Sequence, residues 1–63
     1  MGKLKIYRVD ATEFNKNVGD FIKKGEFLGY FKNKKVIANE NGYICGISFD
    51  AENHCLNIII EIR

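Results

Sequence analysis

Proline and tryptophan are absent from the sequence, and no uninterrupted apolar run is longer than three residues. A helix needs about 20 consecutive apolar residues to cross a bilayer, so no segment qualifies as a transmembrane helix. No apolar stretch follows the N-terminal Met-Gly-Lys-Leu-Lys, which argues against a signal peptide. We therefore expect a cytoplasmic protein that does not contact a membrane.

Length sets a second limit. The 63 residues suffice for one domain, residues 1–63, and such a short chain buries only about 60% of its unfolded surface. A substrate cleft between two lobes and a dinucleotide-binding sheet are both excluded. An aromatic content of 13% and many β-branched residues favour a folded chain over a disordered one.

Groups that perform catalysis are scarce, since the chain has one histidine, His54, and only Thr12 and Ser48 as aliphatic hydroxyl residues. Ser48 and His54 flank one predicted hairpin, but a nucleophile needs a base within reach and a third group that orients this base. Because Ser48 lies in an apolar strand, we interpret its hydroxyl as structural. We expect no catalytic residues and no enzymatic activity.

The two cysteines, Cys45 and Cys55, are too few for a disulfide scaffold and too widely spaced for a Cys-x-x-Cys site. Both lie among apolar residues, where free cysteine behaves as a small core side chain. His54 precedes Cys55, but neighbours in a strand point to opposite faces and do not readily share an ion. We expect two buried thiols, no disulfide and no metal.

The net charge of +2 is unevenly distributed, because residues 23–35 carry five lysines against one glutamate and residues 36–63 carry one arginine against four acidic residues. The basic set consists of Lys23, Lys24, Lys32, Lys34 and Lys35. Two interpretations remain open. The lysines form a surface for an anionic partner, or they keep strand edges soluble.

Period-two alternation of apolar residues predicts strands. The first runs over residues 3–8 with Leu4 and Ile6 on its apolar face, and the second over 26–31 with Phe27 and Phe31 on one face and Leu28 and Tyr30 on the other. Further strands are predicted at 36–38, at 43–49 with a bend or close approach at Gly46, and at 55–62. In the last strand one face holds Leu56, Ile58, Ile60 and Ile62.

Turn-forming residues separate these strands. Residues 32–35 contain Asn33, which tolerates a left-handed conformation. Asn41-Gly42 is a strong turn signal, and residues 50–53 close the last predicted hairpin.

Residues 10–24 support two interpretations. Phe14, Val18, Phe21 and Ile22 have helical spacing, and a helix near 11–24 would give an α+β domain of β-α-β-β-β order. Gly19 would lie inside that helix at a cost of about 1 kcal/mol. An irregular connection, with one helical turn near 11–16, is favoured over the helix.

Two Gly-acid pairs lie six positions apart in residues 18–29, at Gly19-Asp20 and Gly25-Glu26. Tight turns at these pairs would enclose a very short strand with Ile22 inward. Residues 18–47 resemble the biotinyl/lipoyl-like domains, whose first half reads approximately V-G-D-x-V-x-x-G-D/E-x-L. The resemblance implies an all-β fold, a small flattened β-barrel called a barrel-sandwich hybrid.

The return strand also matches the family, since Ala38, Gly42 and Ile44 fit its A-P-x-x-G-x-V turn, although Asn39 replaces the proline. Members carry biotin or lipoate on a lysine at an exposed hairpin tip. Here Lys34 or Lys35 would occupy the tip, but neither the Asp-Lys pair nor the Met-Lys-Met triplet of the family is present. The hairpin is also shorter by about two residues per strand, or about 7 Å at 3.3 Å each.

This short-hairpin pattern is similar to relatives that use the fold without a covalent cofactor. We therefore expect a non-catalytic interaction or subunit module with a protein partner or a second copy of itself, and with no cofactor. One alternative is a carrier domain modified on Lys34 or Lys35. A second is a small β-barrel that binds single-stranded nucleic acid through its lysines, with Tyr30 and Phe31 as stacking platforms.

Overall fold

A computed structural model describes residues 2–12 and 14–63, and the protein is all-β over these residues. The six strands are β1 (Leu4–Asp10), β2 (Phe21–Ile22), β3 (Phe27–Phe31), β4 (Lys34–Ile37), β5 (Gly42–Asp50) and β6 (Cys55–Ile62). The alternative helix near 11–24 is wrong. Residues 11–12 and 18–19 form turns and β2 lies at the end of the segment, with Glu13 outside the described residues.

Two antiparallel sheets form a small β-barrel-like body. The larger sheet has the strand order β1-β6-β5-β2 and curls like half of a barrel, while β3 and β4 form a separate hairpin sheet. The core lies between the two sheets and consists of Tyr7, Val9, Ile22, Leu28, Ala38, Ile44, Ile58 and Ile60. Ile58 and Ile60 point into the core, and Leu56 and Ile62 on the same face are partly buried against it. The predicted apolar face of β6 is therefore confirmed.

The two Gly-acid pairs form two turns of the same construction, Asn17–Asp20 and Lys23–Glu26. In each turn the N–H of the fourth residue donates to the carbonyl of the first, at 3.0 Å in both. The carboxylate of the fourth residue accepts from the N–H of the first, at 2.9 Å for Asp20 and 3.1 Å for Glu26. The third residue is glycine with a φ of 99° at Gly19 and 90° at Gly25, the region that such a turn requires.

Backbone hydrogen bonds fasten each turn to a different strand. Gly19 N donates to Ile44 O at 2.7 Å and Ile44 N to Asp20 O at 2.9 Å, which joins the first turn to β5. Gly25 N donates to Ala38 O at 2.6 Å and Ala38 N to Glu26 O at 2.9 Å, which joins the second turn to the chain after β4. The short strand between the turns directs Ile22 into the core, where it is fully buried, as predicted.

The predicted orientation of β1 is wrong. Leu4 and Ile6 are about two-thirds exposed, whereas Tyr7 and Val9 point into the core. The Tyr7 hydroxyl donates to Asn39 Oδ1 at 2.6 Å and accepts from Asn39 N at 3.1 Å. Because both hydrogen bonds satisfy the hydroxyl group, the Tyr7 ring can be buried in the core without leaving a polar group unpaired.

The predicted faces of β3 are also wrong, because the pairing of β3 with β4 shifts register between Phe27 and Gly29. Such a bulge changes which residues share a face. Leu28 is buried as predicted, but Phe27 and Tyr30 lie together on the outer face with ring centroids 5.2 Å apart.

Gly42 is not a turn residue. It begins β5 and pairs with both Ile22 and Ile62, and a Cβ at this position would meet the carbonyl oxygen of Glu61. Glycine is therefore required there by close packing of two strands and not by a left-handed conformation. Gly46 has the predicted irregularity, since the β5–β6 register shifts between Ile44 and Gly46.

The last hairpin closes with a turn over residues 51–54, close to the prediction. The Asp50 carboxylate accepts from the backbone N–H of Glu52 at 3.1 Å and from the Asn53 side-chain amide at 2.9 Å. The hydrogen bonds from Asn53 lower the pKa of Asp50 below its ordinary value.

Glycine is required at Gly19 and Gly25 by a positive φ and at Gly42 by close packing of two strands, and replacement of each by alanine distinguishes these two causes. Gly19→Ala and Gly25→Ala meet no atom and should each cost about 1–2 kcal/mol from the positive φ alone. Gly42→Ala should cost more, about 3 kcal/mol, because two paired strands must separate. Urea denaturation measures the three free energies of unfolding, and equal losses at all three positions would contradict the packing explanation.

Glu26 should make the protein less stable in acid. The hydrogen bond from Lys23 N, together with Lys16 Nζ at 2.9 Å, lowers the pKa of Glu26. A carboxylate with a lowered folded pKa contributes stability above its unfolded pKa of about 4.3 and loses it as the pH falls through the folded value. Glu26→Gln should therefore flatten the acid side of the stability profile between about pH 5 and pH 3, whereas the exposed Glu40→Gln should leave it unchanged.

Candidate interaction surface

The outer side of the four-stranded sheet exposes an apolar surface. We call it the outer sheet face and define it by Leu4, Ile6, Phe21, Tyr43 and Ile59. Exposure is 65% for Leu4 and 63% for Ile6, against 41% for Phe21 and 40% for Tyr43, and Ile59 is partly exposed. Single exposed apolar residues are ordinary, but several on one sheet face are typical of an interaction surface.

Strand register makes the outer sheet face continuous. One row across the sheet contains Leu4, Glu61, Tyr43 and Phe21, because each residue is paired with the next. The adjacent row contains Ile6, Ile59 and Gly46. Gly46 has no side chain, so the second row is flat at β5 and its aliphatic part is limited to β1 and β6.

Phe21, Tyr43 and Arg63 line an open cavity of about 470 Å³ at one end of this face. The rings of Phe21 and Tyr43 meet edge to face with centroids 5.0 Å apart, and Arg63 Cζ lies 5.1 Å from the Tyr43 centroid. Arg63 is also 3.8 Å from the Glu61 carboxylate. The cavity therefore combines an aromatic floor with both signs of charge at its rim.

The five lysines of the basic segment do not form one surface. Lys23 and Lys24 lie in the turn at the base of the β3–β4 hairpin, where Lys24 N donates to Asn41 Oδ1 at 2.7 Å. Lys32, Lys34 and Lys35 lie at the opposite end. The five-residue length of β3 separates the groups by roughly 17 Å at 3.3 Å per residue.

The hairpin tip consists of Lys32 and Asn33, with φ values of 51° and 65°. Phe31 pairs with Lys34, so a two-residue loop with two left-handed residues joins β3 and β4, the geometry of a type I′ turn. Lys34 and Lys35 are the first residues of β4. They therefore lie beside the tip, and the expectation that one of them occupies it is wrong.

Aromatic residues of the hairpin lie on two sides. Tyr30 pairs with Lys35 across the strands and contacts Phe27 on the outer side. Phe31 is partly buried and has two cations near its ring, with Arg8 Cζ at 5.9 Å and Lys32 Nζ at 5.4 Å from its centroid. The two residues expected to stack on nucleic acid thus do not form a common platform.

The cysteines differ in environment. Cys55 is buried as predicted, but Cys45 is exposed at the β5 bulge, and both thiols are free. His54 is exposed in the last turn with a φ of 52°, while Ser48 pairs with Asn57 in mid-strand. In residues 2–12 and 14–63, no three histidine, cysteine or acidic side chains are grouped as a metal site would need.

Over that same part of the chain, no helix has the length and apolar character needed to span a membrane.

Comparison with known proteins gives no relative. Neither a protein-family model, nor a curated protein, nor a solved structure matches the chain.

The sequence did not predict the outer sheet face. Leu4 and Ile6 are more apolar than Lys5 and Tyr7, with which they alternate, and were therefore expected to face the core. One signal was available. The pair of Tyr7 and Val9 continues the same alternation toward Asp10, so both faces of β1 contain two apolar residues. In the structure the face with Tyr7 and Val9 turns inward, and Asn39 bonds the Tyr7 hydroxyl there.

Proposed function

We propose that the protein is a non-catalytic interaction or subunit module of the biotinyl/lipoyl-like kind, without a covalent cofactor. The observation that carries the proposal is the outer sheet face, where Leu4 and Ile6 remain about two-thirds exposed in a chain whose core is otherwise well buried. The shared construction of the two Gly-acid turns supports the family. The two free thiols fit the reducing cytoplasm.

The chemistry of the outer sheet face indicates the kind of protein partner. Leu4, Ile6 and Ile59 form its aliphatic part, and Glu61 and Arg63 provide one charge of each sign beside it. Arg8 lies in the next row, paired with Asn57, so the face carries two arginines against one glutamate, and this small net charge offers little attraction to nucleic acid or another polyanion. Its natural complement is an apolar surface of another protein, such as a second sheet that packs about 10 Å away.

A photo-crosslinking amino acid placed at Ile6 tests this surface in cells that produce the protein. We expect one protein to be captured at Ile6 and not at Ile37, an exposed position on the outer side of the hairpin. The double variant Leu4→Lys and Ile6→Lys should remove the adduct of a crosslinker placed at Ile59, because it places two charges in the apolar contact.

A matched control separates loss of binding from loss of folding. Phe27→Lys and Ile37→Lys add the same charge on the opposite sheet and should leave the Ile59 adduct intact. Both double variants should remain folded by circular dichroism, since all four positions are exposed. Equal capture at Ile6 and Ile37, or an adduct that survives Leu4→Lys and Ile6→Lys, would refute the proposed surface.

A carrier function is the second candidate, and one observation favours it. The lysines at the hairpin end are exposed, and a two-residue turn holds them away from the core. If the protein is a carrier, coexpression with a biotin or lipoate ligase should add the mass of the cofactor, and Lys34→Arg or Lys35→Arg should abolish the addition. We expect the intact mass to remain unmodified, and a mass increase on either lysine would replace the first proposal.

Nucleic-acid binding receives less support from the arrangement of side chains. The lysines are divided between the two ends of the hairpin, and β3, which connects these ends, carries no basic residue that would make the groove continuous. Tyr30 is also engaged with Phe27 at 5.2 Å. Proteins of this class usually combine a continuous basic groove with exposed stacking rings.

A further inference from the structure

The outer edge of β5 has no strand partner along most of its length. In the described part of the chain, β2 pairs with β5 only at Gly42 and Tyr43, and the first Gly-acid turn adds hydrogen bonds at Ile44. From Gly46 to Asp50, β5 is paired with β6 on one side only. Such an edge presents free N–H and C=O groups to another strand.

The register identifies which backbone groups are free. Both backbone groups of Ile44 point to the β2 side, since Ile44 N bonds Asp20 O and Ile44 O bonds Gly19 N. Ile44 and its partner Ile60 are therefore a non-hydrogen-bonded pair of β5 and β6. After the bulge, Gly46 pairs with Ile59, and because the two kinds of pair alternate, this pair is hydrogen-bonded. The next residues whose N–H and C=O groups point away from β6 are Ile47 and Phe49, and these groups are free.

This edge lacks the side chains that protect the others. Basic residues lie on β1, which carries Lys5 and Arg8, and on β4, which carries Lys34 and Lys35. The segment 46–49 reads Gly-Ile-Ser-Phe and has neither a charge nor a proline. Natural proteins usually place lysine, proline or a covering element at an exposed edge.

An apolar side chain accompanies the free backbone. Phe49 points to the same side of the sheet as the core residues but lies beyond them and is 57% exposed. Its partner across the strands is Leu56, which is partly buried. A strand added at this edge would bury part of the exposed Phe49 surface.

We infer that two copies of the chain associate through their β5 edges, in antiparallel register about a two-fold axis at Ser48. In this register Ile47 of one copy pairs with Phe49 of the other, so the residues with free backbone groups face each other and about four hydrogen bonds form. Each Phe49 is covered by Ile47 of the other copy. Asp50 faces Gly46, so no like charges are opposed.

The association is independent of the proposed function. It uses an edge, and the outer sheet face stays open on both copies, where β1, β6 and β5 of each copy form one continuous six-stranded surface. A second copy is favoured over a strand of another protein because the segment can pair with itself so that Ile47 meets Phe49 and no like charges are opposed.

Charge substitution at Ser48 tests the two-fold axis. Ser48 is exposed on the outer side, and its side chain would lie directly opposite Ser48 of the other copy. Sedimentation equilibrium of the wild type over a concentration series should show a reversible monomer–dimer equilibrium. Ser48→Lys alone and Ser48→Glu alone should each weaken the dimer about tenfold or more, because like charges are opposed.

An equal mixture of Ser48→Lys and Ser48→Glu should restore dimerisation, since opposite charges then meet at the axis. Glu52→Lys, in the exposed last turn, is the matched control and should dimerise like the wild type. A monomeric wild type at every concentration, or a mixture no tighter than its components, would overturn the proposal. A dimer that is unaffected by both single variants would place the contact elsewhere and overturn it as well.

Discussion

Two Gly-acid turns, each closed by an acid side chain, fasten the segment before β3 to both sheets. Asp20 and Glu26 each accept a hydrogen bond from the residue three positions earlier, while glycine supplies the left-handed conformation between them. The two turns leave room for two strand residues only, so the chain reverses sharply around Ile22. One turn is bonded to β5 and the other to the end of β4, so together they set the position of the hairpin sheet relative to the four-stranded sheet.

Burial is distributed unevenly as a consequence. The hairpin covers the concave side of the larger sheet, and Ile58 and Ile60 of β6 have no exposure beneath it. The convex side receives no covering element in the described residues and keeps its apolar side chains in contact with solvent. A small domain that leaves this much apolar surface exposed gains stability from any partner that covers it, which connects the architecture to an interaction function.

Much of the fold could be predicted from particular residues. The Gly-acid pairs indicated the turns because only glycine adopts their backbone without strain, and the regular isoleucines of β6 indicated its inner face. The inward face of β1 could not be predicted from alternation, because both of its faces hold two apolar residues, and the hydrogen bond that accompanies burial of Tyr7 comes from Asn39, 32 residues away. The same holds for Gly42, whose requirement arises from a contact with Glu61, and for the β3 bulge that brings Phe27 beside Tyr30. The outer sheet face could not be predicted either, because it includes the side of β1 that was expected to face the core.

The segment before β3 consists of two fastened turns around a short strand, and amide hydrogen exchange together with backbone nuclear Overhauser contacts in solution can test this arrangement. We expect slow exchange for the amides of Gly19 and Gly25, which donate to Ile44 O and Ala38 O, and a close contact between the backbone protons of Phe21 and Tyr43. Fast exchange at both glycines, or a continuous series of sequential amide–amide contacts from residue 14 to residue 24, would contradict it.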